Sequence, residues 1–260
     1  MQAIRRFRSY FDVDEDLEQD SEIYWEIRMI FCDIHTHILP GIDDGATDWE
    51  MSLGMVKASW KAGVRTIIAT PHFLPWKEDN HTGEVEILCR ELMYRSRECL
   101  GIEMEVLPGQ EIFYHTDMEE KLSKGEILTL AHSRYILVEF ETGASGQKIL
   151  DGLDRLRLAG YFPILAHMER YSALRSGNWL RELKQRGILL QMNMASIEGM
   201  RFKPNVYWCR RQITENMVDL IASDMHNLTS RGPFNKETLR WLKKNVRFSR
   251  RRQLFGGLPQ

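Results

Sequence analysis

Short apolar runs alternate along this chain with longer stretches in which apolar residues recur at helical spacing. The run Met29-Ile30-Phe31 starts a strand that ends in the turn signals Pro40-Gly41 and Asp43-Asp44-Gly45. Further buried strands are predicted at 64–70, 104–107, 135–140, 162–166, 188–192 and 218–222. Between them, Thr47 and Glu50 form a capping box ahead of Met51, Met55, Val56 and Trp60, and Gly63 closes that helix. Helices also follow at 84–100, 147–159, 175–186, 204–216 and 235–244, with a polar loop carrying Trp76 at 73–81. Seven strands, most followed by a helix, predict an α/β fold with a parallel sheet, closed as a barrel or open and doubly wound.

Polar residues that interrupt this pattern are not scattered. His35, His37, His72, Glu111, Glu139, His167, Asn193, Asp224 and His226 all fall at or just beyond the carboxyl end of a predicted strand. In a βα barrel those ends share one face, where active sites are built. His35 and His37 are two apart on one strand and project together, with Asp43 and Asp44 just beyond. Such a pair suits a divalent metal; the alternative is two hydrogen-bonded histidines at a strand end. His81, His115 and His132 lie in loops or helices and read as surface or capping residues.

Composition narrows the chemistry. The 260 residues are 43% hydrophobic, enough for one large core, and the net charge of −2 gives no reason to expect nucleic acid. The four cysteines are far apart and form no C-x-x-C pair, which points away from a disulfide framework and fits a reducing cytoplasm. No apolar run approaches the ~20 residues that span a bilayer. Residues 1–28, basic and then acidic without an apolar segment, read as an appendage and not as a secretory signal; Met29 would itself be a natural start. One domain is expected at 29–246, followed by an arginine-rich, solvated tail at 247–260.

A nitrogen and oxygen donor set without cysteine suits manganese, iron, zinc or magnesium. It is too large for one ion, and two or three, with Glu111 bridging, would use it well. Arg170, three residues after His167, and Arg231, five after His226, would rise above the same face and could grip phosphate oxygens. Phosphate ester hydrolysis is the usual use of such a pair of ions. Cys89 and Arg95 formally match the C-x5-R of cysteine phosphatases, but within a helical pattern without glycine, so the match reads as coincidence.

The segments D-I-H-T-H-I-L-P-G-I-D-D-G, A-T-P-H, G-Q-E-I, L-V-E-F, I-L-A-H-x-E-R-Y and I-A-S-D-x-H-N resemble the capsule-type (CpsB/CapC) bacterial protein-tyrosine phosphatases. These belong to the polymerase-and-histidinol-phosphatase (PHP) superfamily. The resemblance runs from Met29 to about residue 245. It implies a distorted TIM-like barrel of seven βα units with three metals, usually manganese. By the same resemblance His35, His37, Glu111 and Asp224 would hold the first ion, and Glu111, Glu139 and His167 the second. Asp44, His72 and His226 would hold the third, with Arg170 and Arg231 on the phosphate. The implied substrate is the tyrosine-rich tail of a membrane-associated bacterial kinase that controls capsule or exopolysaccharide synthesis. Alternatives are a small-molecule phosphatase of the superfamily, acting on histidinol phosphate or a nucleotide, and a non-catalytic regulator. Met168, the loop 73–80, Glu141-Thr142-Gly143 and both chain ends depart from the family pattern.

Overall fold

The computed structural model describes residues 31–78, 80–199, 203–233 and 236–258. Residues 1–28, expected as an appendage, lie outside that range, as do Met29 and Ile30. The strands are β1 (Phe31–Thr36), β2 (Val64–Ala69), β3 (His72–Phe73), β4 (Glu105–Pro108), β5 (Glu111–Phe113), β6 (Tyr135–Glu139), β7 (Phe162–Leu165), β8 (Leu189–Asn193) and β9 (Leu220–Ala222). The helices are α1 (Trp49–Lys61), α2 (Thr82–Leu100), α3 (Met118–Ser123) and α4 (Gly146–Leu158), then α5 (Trp179–Gln185), α6 (Pro204–Thr214), α7 (Lys236–Asn245) and α8 (Phe248–Phe255).

Among the described residues every strand pairing is parallel, in two groups ordered β1-β2-β4 and β3-β5-β6-β7-β8-β9. The groups are related by interruption: Thr70-Pro71 separates β2 from β3, and Gly109-Gln110 separates β4 from β5. Pro71 has no N–H to give a ladder, yet its carbonyl still accepts from Glu111 N–H at 3.1 Å. Counting each interrupted pair once leaves the seven strands that the apolar pattern predicts. Beyond β9, Asp224 N–H donates to His35 O and His37 N–H donates to Met225 O, both at 2.9 Å. Thr36 and Met225 form a parallel bridge there. The last strand therefore runs beside the first.

Two apolar clusters hold this arrangement. The larger lies between helices and sheet, with Met55, Val56, Leu92, Leu153 and Leu183 packed on Ile67, Val106, Val138 and Leu190. The smaller, on the other face, joins Cys32 and Ile34 of β1 to Ile68, Leu137, Ile164 and Leu220 from β2, β6, β7 and β9. Strands from both groups share it, so the sheet curls around its own side chains. Regular alternation would carry Ile34 and His35 to opposite faces. The pairing register shifts between Asp33 and Thr36, just where the apolar side chains of β1 give way to the histidines.

Three expectations need correction. The cap of α1 is Asp48, not Thr47: its carboxylate accepts from Met51 N–H at 2.9 Å, while Thr47 Oγ1 donates to Asp48. The helix expected at 175–186 is a 3-10 turn (Ser172–Arg175) and α5, parted by Gly177 at φ +71°. The arginine-rich segment is not a solvated tail. It forms α8, whose Leu254 and Phe255 are buried in the main core. Arg251, itself buried, donates to Lys243 O and Val246 O at 2.9 and 2.6 Å, closing the carbonyl end of α7. The apolar residues that become buried come only at the end of that segment and gave a weak amphipathic signal, which the arginines masked.

Candidate metal centre

The local fold delivers each predicted donor to one rim. His35 lies in β1 with His37 just past its end; His72 opens β3, Glu111 opens β5, and Glu139 ends β6. His167 follows β7, and Asp224 and His226 follow β9. Asp44 comes from the loop after β1, which folds back so that Ala46 N–H donates to His37 O at 3.0 Å. A Cβ on Gly45 would lie 2.0 Å from that same carbonyl oxygen, so only glycine lets the loop close here. His167 and Asp224 both adopt positive φ, +30° and +52°, turning the chain sharply at the strand ends.

Four atoms at the centre are tightly spaced. His35 Nε2 and His37 Nε2 are 3.3 Å apart. Glu111 Oε2 lies 3.2 and 3.3 Å from them, and Asp224 Oδ1 lies 3.4 and 3.5 Å away. Four ligands bonded to one cation at ~2.1 Å in a tetrahedron would be separated by about 3.4 Å. These five separations match the edges of such a tetrahedron, so the donors are placed as a divalent ion would require. Around this group, His72 and His167 approach the pair Glu111 and Glu139 at 2.8 to 3.5 Å. On the outer side, Asp44 Oδ1 is 3.3 Å from His72 Nε2 and 3.4 Å from His226 Nε2. Three groups could each hold an ion: His35, His37 and Asp224; His72, Glu111 and Glu139; and His37, Asp44, His72 and His226.

The histidine tautomers support the same reading. His37 Nδ1 lies 2.7 Å from Asp43 Oδ2, His35 Nδ1 3.2 Å from Gln191 Oε1, and His226 Nδ1 3.0 Å from Asp224 O. Each Nδ1 faces an acceptor and so carries the proton, which leaves the Nε2 lone pair aimed at the centre. His226 Nε2 is buried and makes no hydrogen bond of its own. A donor left that way asks for a cation.

Without an ion the charges must balance one another. Burial works against ionisation of Glu111, but His35, His167 and His37 hold its carboxyl well below the usual range. His37 is likewise opposed by burial, yet Asp43 pushes it up to about 9; Glu111 and Glu139 lift His167 to about 9 against its burial. His226, also buried, is held below its ordinary value by desolvation.

Eight of the nine predicted metal donors fall in these three groups, and His167 joins the rim through Glu111 at 2.8 Å; His81, His115 and His132 are in none of the groups. Both arginines reach it too. Arg170 donates to Asp224 Oδ2 at 2.6 Å, and Arg231 donates to both oxygens of that carboxylate at 2.8 Å. Each guanidinium stays over a third exposed, open to an incoming anion. Sequence reasoning missed Gln191, which also accepts from His167 N–H at 2.7 Å, and the orienting role of Asp43. It also missed that Asn193 donates to Asp224 Oδ2 at 2.6 Å. A glutamine inside the apolar strand L-L-Q-M-N was the available signal. Cys89 sits buried in α2 with its thiol pushed up to about 12 by desolvation, and Arg95 pairs with Glu91. Neither can serve a cysteine phosphatase.

Residues 31–260 match the family described as capsular polysaccharide synthesis, CpsB/CapC. The chain belongs to that family. It is 35% identical to the tyrosine-protein phosphatase YwqE of Bacillus subtilis over 82% of this chain and 84% of that protein. It is 34% identical to the tyrosine-protein phosphatase CpsB of Streptococcus pneumoniae over 88% and 96%. Among solved structures it resembles one described as YwqE and CpsB, metal-dependent tyrosine phosphatases: TM-score 0.78, 33% identity, 85% of this chain and 90% of that one. The CpsB/CapC match takes in α8 as well as the rim, so the final helix is within the family's extent. Among the described residues, no helix of this CpsB/CapC chain is long and apolar enough to cross a membrane.

Proposed function

We propose that this chain is a metal-dependent protein-tyrosine phosphatase, built on a distorted seven-stranded βα barrel spanning 29–246 and completed by α8. In this reading His35, His37, Glu111 and Asp224 hold one ion, Glu111, Glu139 and His167 a second, and Asp44, His72 and His226 a third. Manganese is the ion proposed, and iron, zinc or magnesium fit the same donors. The observation that carries the reading is the 3.2–3.5 Å spacing of four donor atoms from three remote parts of the chain, with two arginines beside them.

Ions bound there would supply Lewis acidity and make water a better nucleophile at neutral pH. The protein's own groups do the rest. Asp43 and Gln191 hold the His37 and His35 rings, so the Nε2 lone pairs do not wander. Arg170 and Arg231 exchange the Asp224 carboxylate for phosphoryl oxygens and take up charge as it develops. A tyrosine phenolate, with pKa near ~10, leaves without a strong acid behind it. The proposed substrate is phosphotyrosine on the tail of a membrane-associated bacterial tyrosine kinase that governs capsule or exopolysaccharide synthesis, met in the cytoplasm.

The test is a metal-stripped preparation assayed on a phosphotyrosine peptide, p-nitrophenyl phosphate and histidinol phosphate, with Mn²⁺ added back. Activity should vanish with chelator, return with metal and survive iodoacetamide. Turnover of histidinol phosphate far above the peptide would overturn the substrate, and activity indifferent to chelator would overturn the metal.

A further inference from the structure

A cavity of about 370 Å³ opens beside the donor rim, and its lining is mixed in chemistry. Its lining combines the polar Asp43, Asp44, His72 and Glu139 with the apolar Leu74, Trp76 and Phe113, and Lys77 adds one cation. Trp76 is 64% exposed, an unusual position for the largest apolar side chain, and its ring meets Phe113 edge-on with centroids 4.8 Å apart. Nothing about the core requires it there.

The chain around Trp76 is built to hold it. Leu74-Pro75-Trp76-Lys77 is a turn closed by Lys77 N–H to Leu74 O at 3.0 Å, with proline at its second position. Asn80 pins that turn from the side. Its Oδ1 accepts from Leu74 N–H at 2.6 Å, and its Nδ2 donates to Leu74 O and Lys77 O at 3.1 and 3.2 Å. Phe113 is two residues after Glu111 on β5, so its side chain leaves the same face of the strand. The turn that carries the indole is held, and the phenyl sits on a strand, so both stand beside Asp44, His72 and Glu139, and such placement lowers the ordering cost of a ligand that stacks there.

We propose that Trp76 and Phe113 form the aryl-recognition wall of this site, selecting phosphate monoesters of aromatic alcohols over alkyl ones. The inference rests on the phosphatase reading and deepens it. With the phosphate at the rim, a phenyl ring on the ester oxygen extends toward the apolar residues, where a seryl or threonyl ester leaves the wall wet. Trp76 thus acts on specificity, and Asn80 acts through it as a positioning residue.

The experiment uses the full, Mn²⁺-loaded chain and two readouts. Calorimetry gives the affinities of benzylphosphonate and methylphosphonate; kinetics gives kcat/KM for phosphotyrosine and phosphoserine peptides of one sequence. Wild type should favour benzylphosphonate, and Trp76→Ala should lose about tenfold of that preference with methylphosphonate binding unchanged. Trp76→Phe should restore part of it, and kcat/KM for the phosphotyrosine peptide should follow the same order. Equal affinity of wild type for the two phosphonates, or an unchanged preference in Trp76→Ala, overturns the wall. Aryl preference in binding without turnover of either peptide keeps the wall and overturns the phosphatase reading.

Discussion

Asp224 is engaged on every side: Arg170, Arg231 and Asn193 all donate to a carboxylate that also faces His35 and His37. The arginines lie on its outer side and the imidazoles on its inner, so their roles can be separated by mutation. Arg170→Ala should leave bound metal unchanged and lower turnover more than ~100-fold, measured by metal analysis beside steady-state rates. An equal loss of metal would make Arg170 a structural residue. The histidines carry a second prediction. In metal-free protein His37 and His167 titrate near 9 and His72 near 11, where Asp43, Asp44, Glu111 and Glu139 outweigh burial. Raised above the unfolded value of ~6.5, they add stability below that pH, and it is lost as pH rises through 9 and beyond. Metal must displace those protons. Titrating Mn²⁺ into stripped protein at pH 7 should therefore release protons, and apparent affinity should climb as pH approaches 9. Proton-neutral binding in buffers of different ionisation enthalpy would refute this.

Among the elements, the helix α8 was the least legible. Four arginines within 247–252 read as a charged end, and the side chains that anchor the segment, Leu254 and Phe255, come only in its last turn. Arg250 and Arg251 reach backbone carbonyls of Val218, Lys243 and Val246, and a string of basic residues does not announce such bonds. Phe255→Ala should cost about 3–5 kcal/mol in urea unfolding, because the ring is buried in the main core and far from solvent. A change within ~0.5 kcal/mol would show the helix to be peripheral after all. The strands were easier to read, since apolar runs bounded by glycine and proline mark them directly. Their breaks were not. Splitting at Pro71 and at Gly109 depends on partners more than thirty residues away, to which local patterning is blind.

For the molecule as a whole, the donor set was visible because chemistry at strand ends is conspicuous in a chain whose strands are otherwise apolar. The supporting set was hidden for the opposite reason. Gln191, Asp43 and Asn193 are ordinary polar residues until the sheet brings them to His35, His37 and Asp224. The same curl has a consequence for how the protein is made. Gly257 lies against Cys32, with a Cβ there only 3.2 Å from the cysteine Sγ, so the segment just after α8 rests on the first strand described. A ribosome that has released β1 through β8 has delivered His35 and His37 but neither Asp224 nor His226. An ion in the first or third proposed set is therefore held by an incomplete cage until the segment after β9 has emerged, whereas Glu111, Glu139 and His167 are already in hand.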